Sequence, residues 1–118
     1  MEHEKVFAMP FARVYPLLIA KAERKGRTRE EVLRVTAWLT GYTPAQIEAL
    51  LTSEIGYGDF FRDAPSPNPN RTLIRGSVCG VKAESVADPL MREIRYLDKL
   101  VDELSKGKPL EKILRGGL

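Results

Sequence analysis

The chain has one histidine, His3, and one cysteine, Cys79. A nucleophilic cysteine needs a base, and the only imidazole lies in a terminal stretch expected to fray. Cys79, set between Val78 and Gly80, therefore reads as a small buried apolar residue. A lone cysteine also allows no intrachain disulfide, which suits a reducing cytoplasm. No Gly-x-Gly-x-x-Gly and no phosphate-loop lysine motif occurs. The remaining acid–base candidates are Asp98, Asp102 and Glu103, interleaved with Arg95, Lys99 and Lys106. Two carboxylates on one helix hold a metal only with ligands from elsewhere, and a carboxylate-only Mg²⁺ site is the arrangement open to them. The favoured reading is a solvated polar face, supported by pairs one turn apart such as Asp102 with Lys106. No metal and no cofactor is expected.

Two groups of residues suit binding better than catalysis. Lys21, Arg24, Lys25, Arg27 and Arg29 form the one local run of positive charge, at the junction of two expected helices. The start of the second helix would add backbone donors to these side chains, which suits a phosphate or a nucleic-acid backbone. The plainer reading is a solvated helix end that complements the dipole, diluted by Glu23, Glu30 and Glu31. Asn68, Asn70 and Arg71 lie beside a proline-rich loop and form a second candidate binding edge, since function concentrates on loops.

The elements that position these groups read as helices. Phe11, Val14, Tyr15, Leu18, Ile19 and Ala22 recur at helical spacing before Gly26, and Pro16 either starts the regular helix or kinks a longer one. Thr28 with Glu31, and Thr43 with Gln46, are capping boxes that open two further helices, with Gly41 between them as a left-handed terminus. Asp59, Phe60 and Phe61 read as one helical turn that inserts an aromatic pair into the core. Pro65, Pro67 and Pro69 exclude regular helix and central strand, which makes residues 65–70 a loop and the one candidate for a subdivision. The strongest signal runs from Asp88 to Gly107: a cap, Pro89 at the first helical position, then Leu90, Ile94, Leu97, Val101 and Leu104 on one face. A last piece begins at Pro109 and ends at Gly116 and Gly117.

Residues 72–81 fit two short helical turns or a small hairpin hinged at Arg75 and Gly76. The helix is favoured, because Ala37, Gly41 and Ile47 share the spacing of a helix-turn-helix corner with Gly76, Gly80 and Val86. As DNA readers these corners are poor: a recognition helix exposes Arg, Lys, Asn or Gln, whereas 43–54 offers Gln46 beside Glu48 and Glu54, and 81–88 offers Lys82 beside Glu84 and Asp88.

A chain of 118 residues with net charge +3 fits one domain, 1–118, that buries a core unaided. That charge is too small to name nucleic acid or membrane as a partner. The mixed-charge start is not a secretory signal, and no apolar run approaches the roughly 18 residues of a spanning helix. A soluble cytoplasmic protein is expected. The fold class is all-α, an orthogonal bundle of about five or six helices with a Pro-rich loop. The alternative is a mainly α fold with a small β-hairpin at 72–81.

Several strings resemble a known family. They are Val14-Tyr15-Pro16, Lys21 to Thr28, Trp38-Leu39-Thr40-Gly41-Tyr42, Cys79-Gly80-Val81, Asp88-Pro89-Leu90-Met91, Glu93 to Leu100 and Asp102-Glu103-Leu104. Together they resemble the bacterial domain-of-unknown-function family twenty-two hundred over nearly the whole chain. The resemblance implies a stand-alone cytoplasmic protein with a mainly helical fold. It brings no activity, cofactor or catalytic residue.

The leading functional reading is a small non-enzymatic binding or protein-interaction module, with a protein partner or a second copy of the chain as occupant. A nucleic-acid-binding protein using residues 21–29 ranks second. A small enzyme built on Arg, Asp and Tyr groups ranks third.

Overall fold

Phe60 is the hub of an aromatic stack that joins two helices and the turn after a third. Its ring lies 4.1 Å from Phe11 and 4.7 Å from Tyr42, both stacked, and 5.1 Å edge-on from Phe61. Phe11 stacks in turn on Tyr15 at 4.9 Å, and Tyr57 meets Phe61 edge-on at 5.1 Å. The Tyr42 hydroxyl donates to the Phe60 carbonyl at 2.7 Å, and the Tyr15 hydroxyl shares a 2.8 Å hydrogen bond with Thr36, so both polar ends are satisfied.

The computed structural model describes residues 2–78 and 80–116. The elements are α1 (Glu2–Ala8), α2 (Phe11–Glu23), α3 (Arg29–Thr40), α4 (Pro44–Leu50), α5 (Tyr57–Arg62), a 3-10 turn at Pro69–Leu73, strands β1 (Ser77–Val78) and β2 (Val81–Lys82), a 3-10 turn at Ala83–Ser85, α6 (Pro89–Ser105) and α7 (Leu110–Ile113). The aromatic residues come from α2 and α5 and from Tyr42, which follows α3. Helix α6 is the centre: α2, α3, α5, α7 and β1 all pack against it. The radius of gyration is 13.1 Å, close to the compact value of about 13 Å for a chain near this length. Residues before and after the 65–70 loop share one core, including Phe60, Ile74 and Leu97. No described helix is long and apolar enough to cross a membrane.

The caps form as the spacing requires. Thr28 accepts from the Glu31 N–H at 3.1 Å while Glu31 accepts from the Thr28 N–H at 2.9 Å, and Thr43 and Gln46 repeat both distances. Asp88 caps α6 by accepting from the Met91 N–H at 2.9 Å. Gly41 ends α3 at φ +84°, and the proline loop then lies across that end: the N–H groups of Ser66 and Asn68 donate to Thr40 and Leu39 carbonyls at 3.0 Å. The loop thus supplies donors to helix-end carbonyls that would otherwise lack them.

Two regions depart from the favoured readings, and a third decides between two open ones. The favoured short helix at 72–81 does not form, and the second helix-turn-helix corner at Gly76, Gly80 and Val86 goes with it. The chain makes the hairpin, Ser77 opposite Lys82 and Val78 opposite Val81. Gly76 stands at φ +121°, a conformation no helix continues through, and its N–H is taken by Glu84 at 3.0 Å. The expectation for Cys79, a buried apolar residue, lies outside the described residues, as does the ending at Gly117. Second, the N-terminal stretch is helix α1 instead of a frayed tail. Phe7 rests on Gly58, where a Cβ would lie 2.6 Å from that of Phe7, and the Tyr57 N–H donates to the Met9 carbonyl at 2.7 Å. Third, α2 runs unbroken from Phe11 through Pro16, the longer of the two alternatives. Pro16 is exposed, so the donor it lacks is missing on the solvent side.

Phe60 has no exposed surface. Phe60→Ala is expected to cost about 3–5 kcal/mol, because the stack cannot collapse into the space. Urea unfolding followed by far-UV circular dichroism measures it.

Candidate functional site

The fold parts the five cations of residues 21–29. Arg27 turns inward, and its Nη1 donates to the carbonyls of Leu104 at 3.1 Å and Lys108 at 2.7 Å. Its Nε and Nη2 fork onto Glu31 at 3.1 and 2.7 Å. Arg27 therefore ties the C-terminal end of α6 to the turn that follows it, adding to the Gly107 N–H that also donates to Leu104 at 3.0 Å. Arg29 forks onto Glu48 of α4 at 3.0 and 2.6 Å. Lys21 lies 3.6 Å from Asp102. Arg24 and Lys25 are exposed at the α2–α3 junction.

The polar stripe of α6 is not a solvated face. Asp102 and Glu103 are 9% and 5% exposed, because α2, α3 and α7 surround the helix. Burial works against the Asp102 charge, yet Lys106 at 3.0 Å, Lys21 at 3.6 Å and Lys99 at 3.7 Å hold its carboxyl below the ordinary range. Glu103 receives the Arg115 guanidinium in a fork at 2.6 and 2.7 Å, with Lys108 at 3.5 Å. Asp98 is the opposite case: burial pushes its carboxyl up, against the pull of Arg95 and Lys21. Nearby Tyr57 is pushed well up by burial, then by the Asp98 charge, and its hydroxyl has no partner among the described residues. No group of three or more His, Cys, Asp or Glu side chains among the described residues is placed to hold a metal.

Of the second candidate edge, two members serve the loop. Asn68 accepts from the Asn70 N–H at 2.8 Å, and the Asn70 amide donates to the Arg115 carbonyl at 3.3 Å. Arg71 reaches further: its Nε meets both Glu93 oxygens at 2.9 and 3.0 Å, and its Nη1 donates to the Asn68 carbonyl at 2.9 Å. It thereby stands in a groove of about 540 Å³, within the size range of ligand sites. Phe7, Pro67, Pro89 and Leu90 form its apolar lining. Arg62, Arg71, Asp88 and Glu93 supply its charges, and Arg62 is paired with Asp59 one turn back.

The model of a family described as an uncharacterised protein conserved in bacteria (DUF2200) matches residues 5–115. The chain belongs to that family. A solved structure titled "Crystal structure of uncharacterized protein SP1917" is 53% identical, with a TM-score of 0.90 over 94% of this chain and 91% of that one. Comparison with curated proteins finds no match.

In this member of the family, sequence reasoning reached Arg71 but not the groove's Phe7, Arg62, Leu90 or Glu93. By spacing Leu90 reads as part of the core stripe of α6, and no local pattern joins Phe7 of α1 to the start of a helix far along the chain.

The Arg27 guanidinium, aided by the Thr28 N–H and hydroxyl, holds the Glu31 carboxyl down to about 2 against the effect of burial. A depressed carboxyl stabilises the fold above the range where free glutamate titrates, and that contribution is lost as pH falls toward 2. Glu31→Gln is therefore expected to flatten the loss of stability between about pH 4.5 and 2, read by urea unfolding across that range.

Proposed function

We propose that the chain is a small non-enzymatic binding module that engages a protein segment in the groove between α1, the proline loop and the start of α6. The observation that carries this reading is the groove itself, about 540 Å³ with an apolar lining and charges of both signs. Its polar groups are engaged in holding shape: Arg71 on Glu93 and the Asn68 carbonyl, and Asp88 on the α6 N-terminus. A prearranged rim around an apolar floor suits recognition, since the groups need little reordering on contact. Leu90 is half-buried, so a partner's apolar side chain can complete its burial.

The reading is tested by tagged chain expressed in its own cells and recovered under mild conditions. Wild type is expected to retain a stoichiometric protein partner. Leu90→Asp should reduce retention by about tenfold or more while the chain stays folded at the assay temperature, whereas the double change Arg24→Ala, Lys25→Ala should not. No partner retained by wild type, or equal retention by Leu90→Asp, counts against the groove. Turnover by the purified protein that disappears in Arg71→Ala would show an enzyme instead. Binding to duplex DNA or RNA that falls steeply with salt and is lost in the Arg24, Lys25 variant would move the reading to nucleic acid.

A further inference from the structure

A second space lies on the neighbouring face of α6 and is more enclosed than the groove. Its volume is about 250 Å³, and it is lined by His3 and Val6 of α1, Val81 of β2, Val86, and Met91 and Arg95 of α6. Met91 is buried and His3 is exposed, so the imidazole stands toward the mouth and the methionine toward the floor. Val86 is held in place by Arg92, whose Nε donates to its carbonyl at 2.8 Å and whose Nη2 donates to that of Ala87 at 3.2 Å.

Four of the six lining residues are apolar, and the other two are the cationic or donor groups Arg95 and His3. Among the described residues Arg95 makes one side-chain hydrogen bond, a long one of 3.5 Å from Nη1 to Asp98. A guanidinium carries five N–H donors, so most of its fork is left for an acceptor. The volume limits what else the ligand can be. An apolar cavity of about 150 Å³ accepts benzene, and drug-sized ligands begin at about 300 Å³. The space therefore takes a body about the size of one small ring or a branched chain. A neutral hydrocarbon would leave the Arg95 fork to water and its long bond to Asp98, and inorganic phosphate would leave Val6, Val81, Val86 and Met91 without apolar contact.

We propose that this cavity binds a small apolar monocarboxylate, with its carboxylate on the Arg95 fork, the His3 imidazole as a second donor at the mouth, and its hydrocarbon body among Val6, Val81, Val86 and Met91. The site is separate from the groove and does not depend on it, since the two share no lining residue.

The test is a calorimetric titration of the whole chain with 4-methylvalerate and with its neutral amide, 4-methylvaleramide, alongside methyl-resolved NMR. The acid is expected to bind saturably and at least about tenfold more tightly than the amide, because a charge-assisted hydrogen bond to the guanidinium is lost in the latter. Shifts should centre on the Val6, Val81, Val86 and Met91 methyls. Arg95→Met should weaken the acid by about tenfold or more and leave the amide nearly unchanged. Leu90→Asp should leave both affinities unchanged, which separates this site from the proposed groove. Equal affinity for acid and amide, shifts centred elsewhere, unchanged acid binding by Arg95→Met, or no saturable binding of either compound would overturn the proposal. Should Arg95→Met fail to fold, the acid and amide comparison on wild type decides alone.

Discussion

Asp102 and Glu103 are carboxylates buried near the C-terminal end of the central helix, where the helix dipole also disfavours negative charge. A charge removed from water on these terms persists only if cations and donors come to it. Those cations arrive from separate parts of the chain. Lys21 comes from α2, Lys99 and Lys106 from α6 or just beyond it, and Lys108 and Arg115 from either side of α7. Arg27 completes the same end by capping the Leu104 and Lys108 carbonyls. The requirement of two carboxylates thus fastens α2 and the C-terminal segment to one end of α6, and the Arg27 bonds to carbonyls add the α2–α3 junction. Of the basic run 21–29, Lys21 answers Asp102, whereas Arg27 and Arg29 pair with Glu31 and Glu48.

With that end occupied, the other half of α6 is left for space. Leu90 and Glu93 line the groove, while Met91 and Arg95 line the smaller cavity. Residues one apart lie about 100° around a helix, so 90 and 91 face different directions. Helix α1 separates the two spaces in the same way, with Phe7 on the groove and His3 and Val6 on the cavity. The hairpin contributes Val81 to the cavity alone, and the proline loop contributes Pro67 to the groove alone. One short helix and one half of a long helix therefore define two chemically distinct openings.

What was legible beforehand had local causes. The capping boxes at Thr28 and Thr43, the Asp88–Pro89 start and the aromatic turn at Asp59–Phe61 depend on neighbours within four residues, and each is present. The hairpin was harder because Val78 and Val81 sit in runs too short to separate a period of two from one of 3.6, and its decisive donor pair, Gly76 with Glu84, spans eight positions. The stripe of alternating charge on α6 reads alike whether water or protein faces it, since the pairs one turn apart are the same in both cases. Nothing local could reveal that Arg27 would meet Leu104, 77 positions away, or that Arg71 would meet Glu93, 22 away. The groove and the cavity were illegible for the same reason, because both need α1 laid beside α6.

The position of α1 is set by its seat on α5. Its Phe7 fits against Gly58 because no side chain stands there, and the α1–α2 linker is held by two backbone bonds, Tyr57 N–H to Met9 at 2.7 Å and Phe11 N–H to Ile55 at 3.0 Å. A Cβ at position 58 would lie 2.6 Å from the Phe7 Cβ and 3.0 Å from its Cα, and the second of these is backbone that cannot rotate away. Helix α1 would have to lift, carrying Phe7 off the groove and His3 and Val6 off the cavity together. The same seat therefore sets the width of both openings. A glycine outside either lining governs them, while the ion pairs at the far end of α6 keep the helix beneath in register.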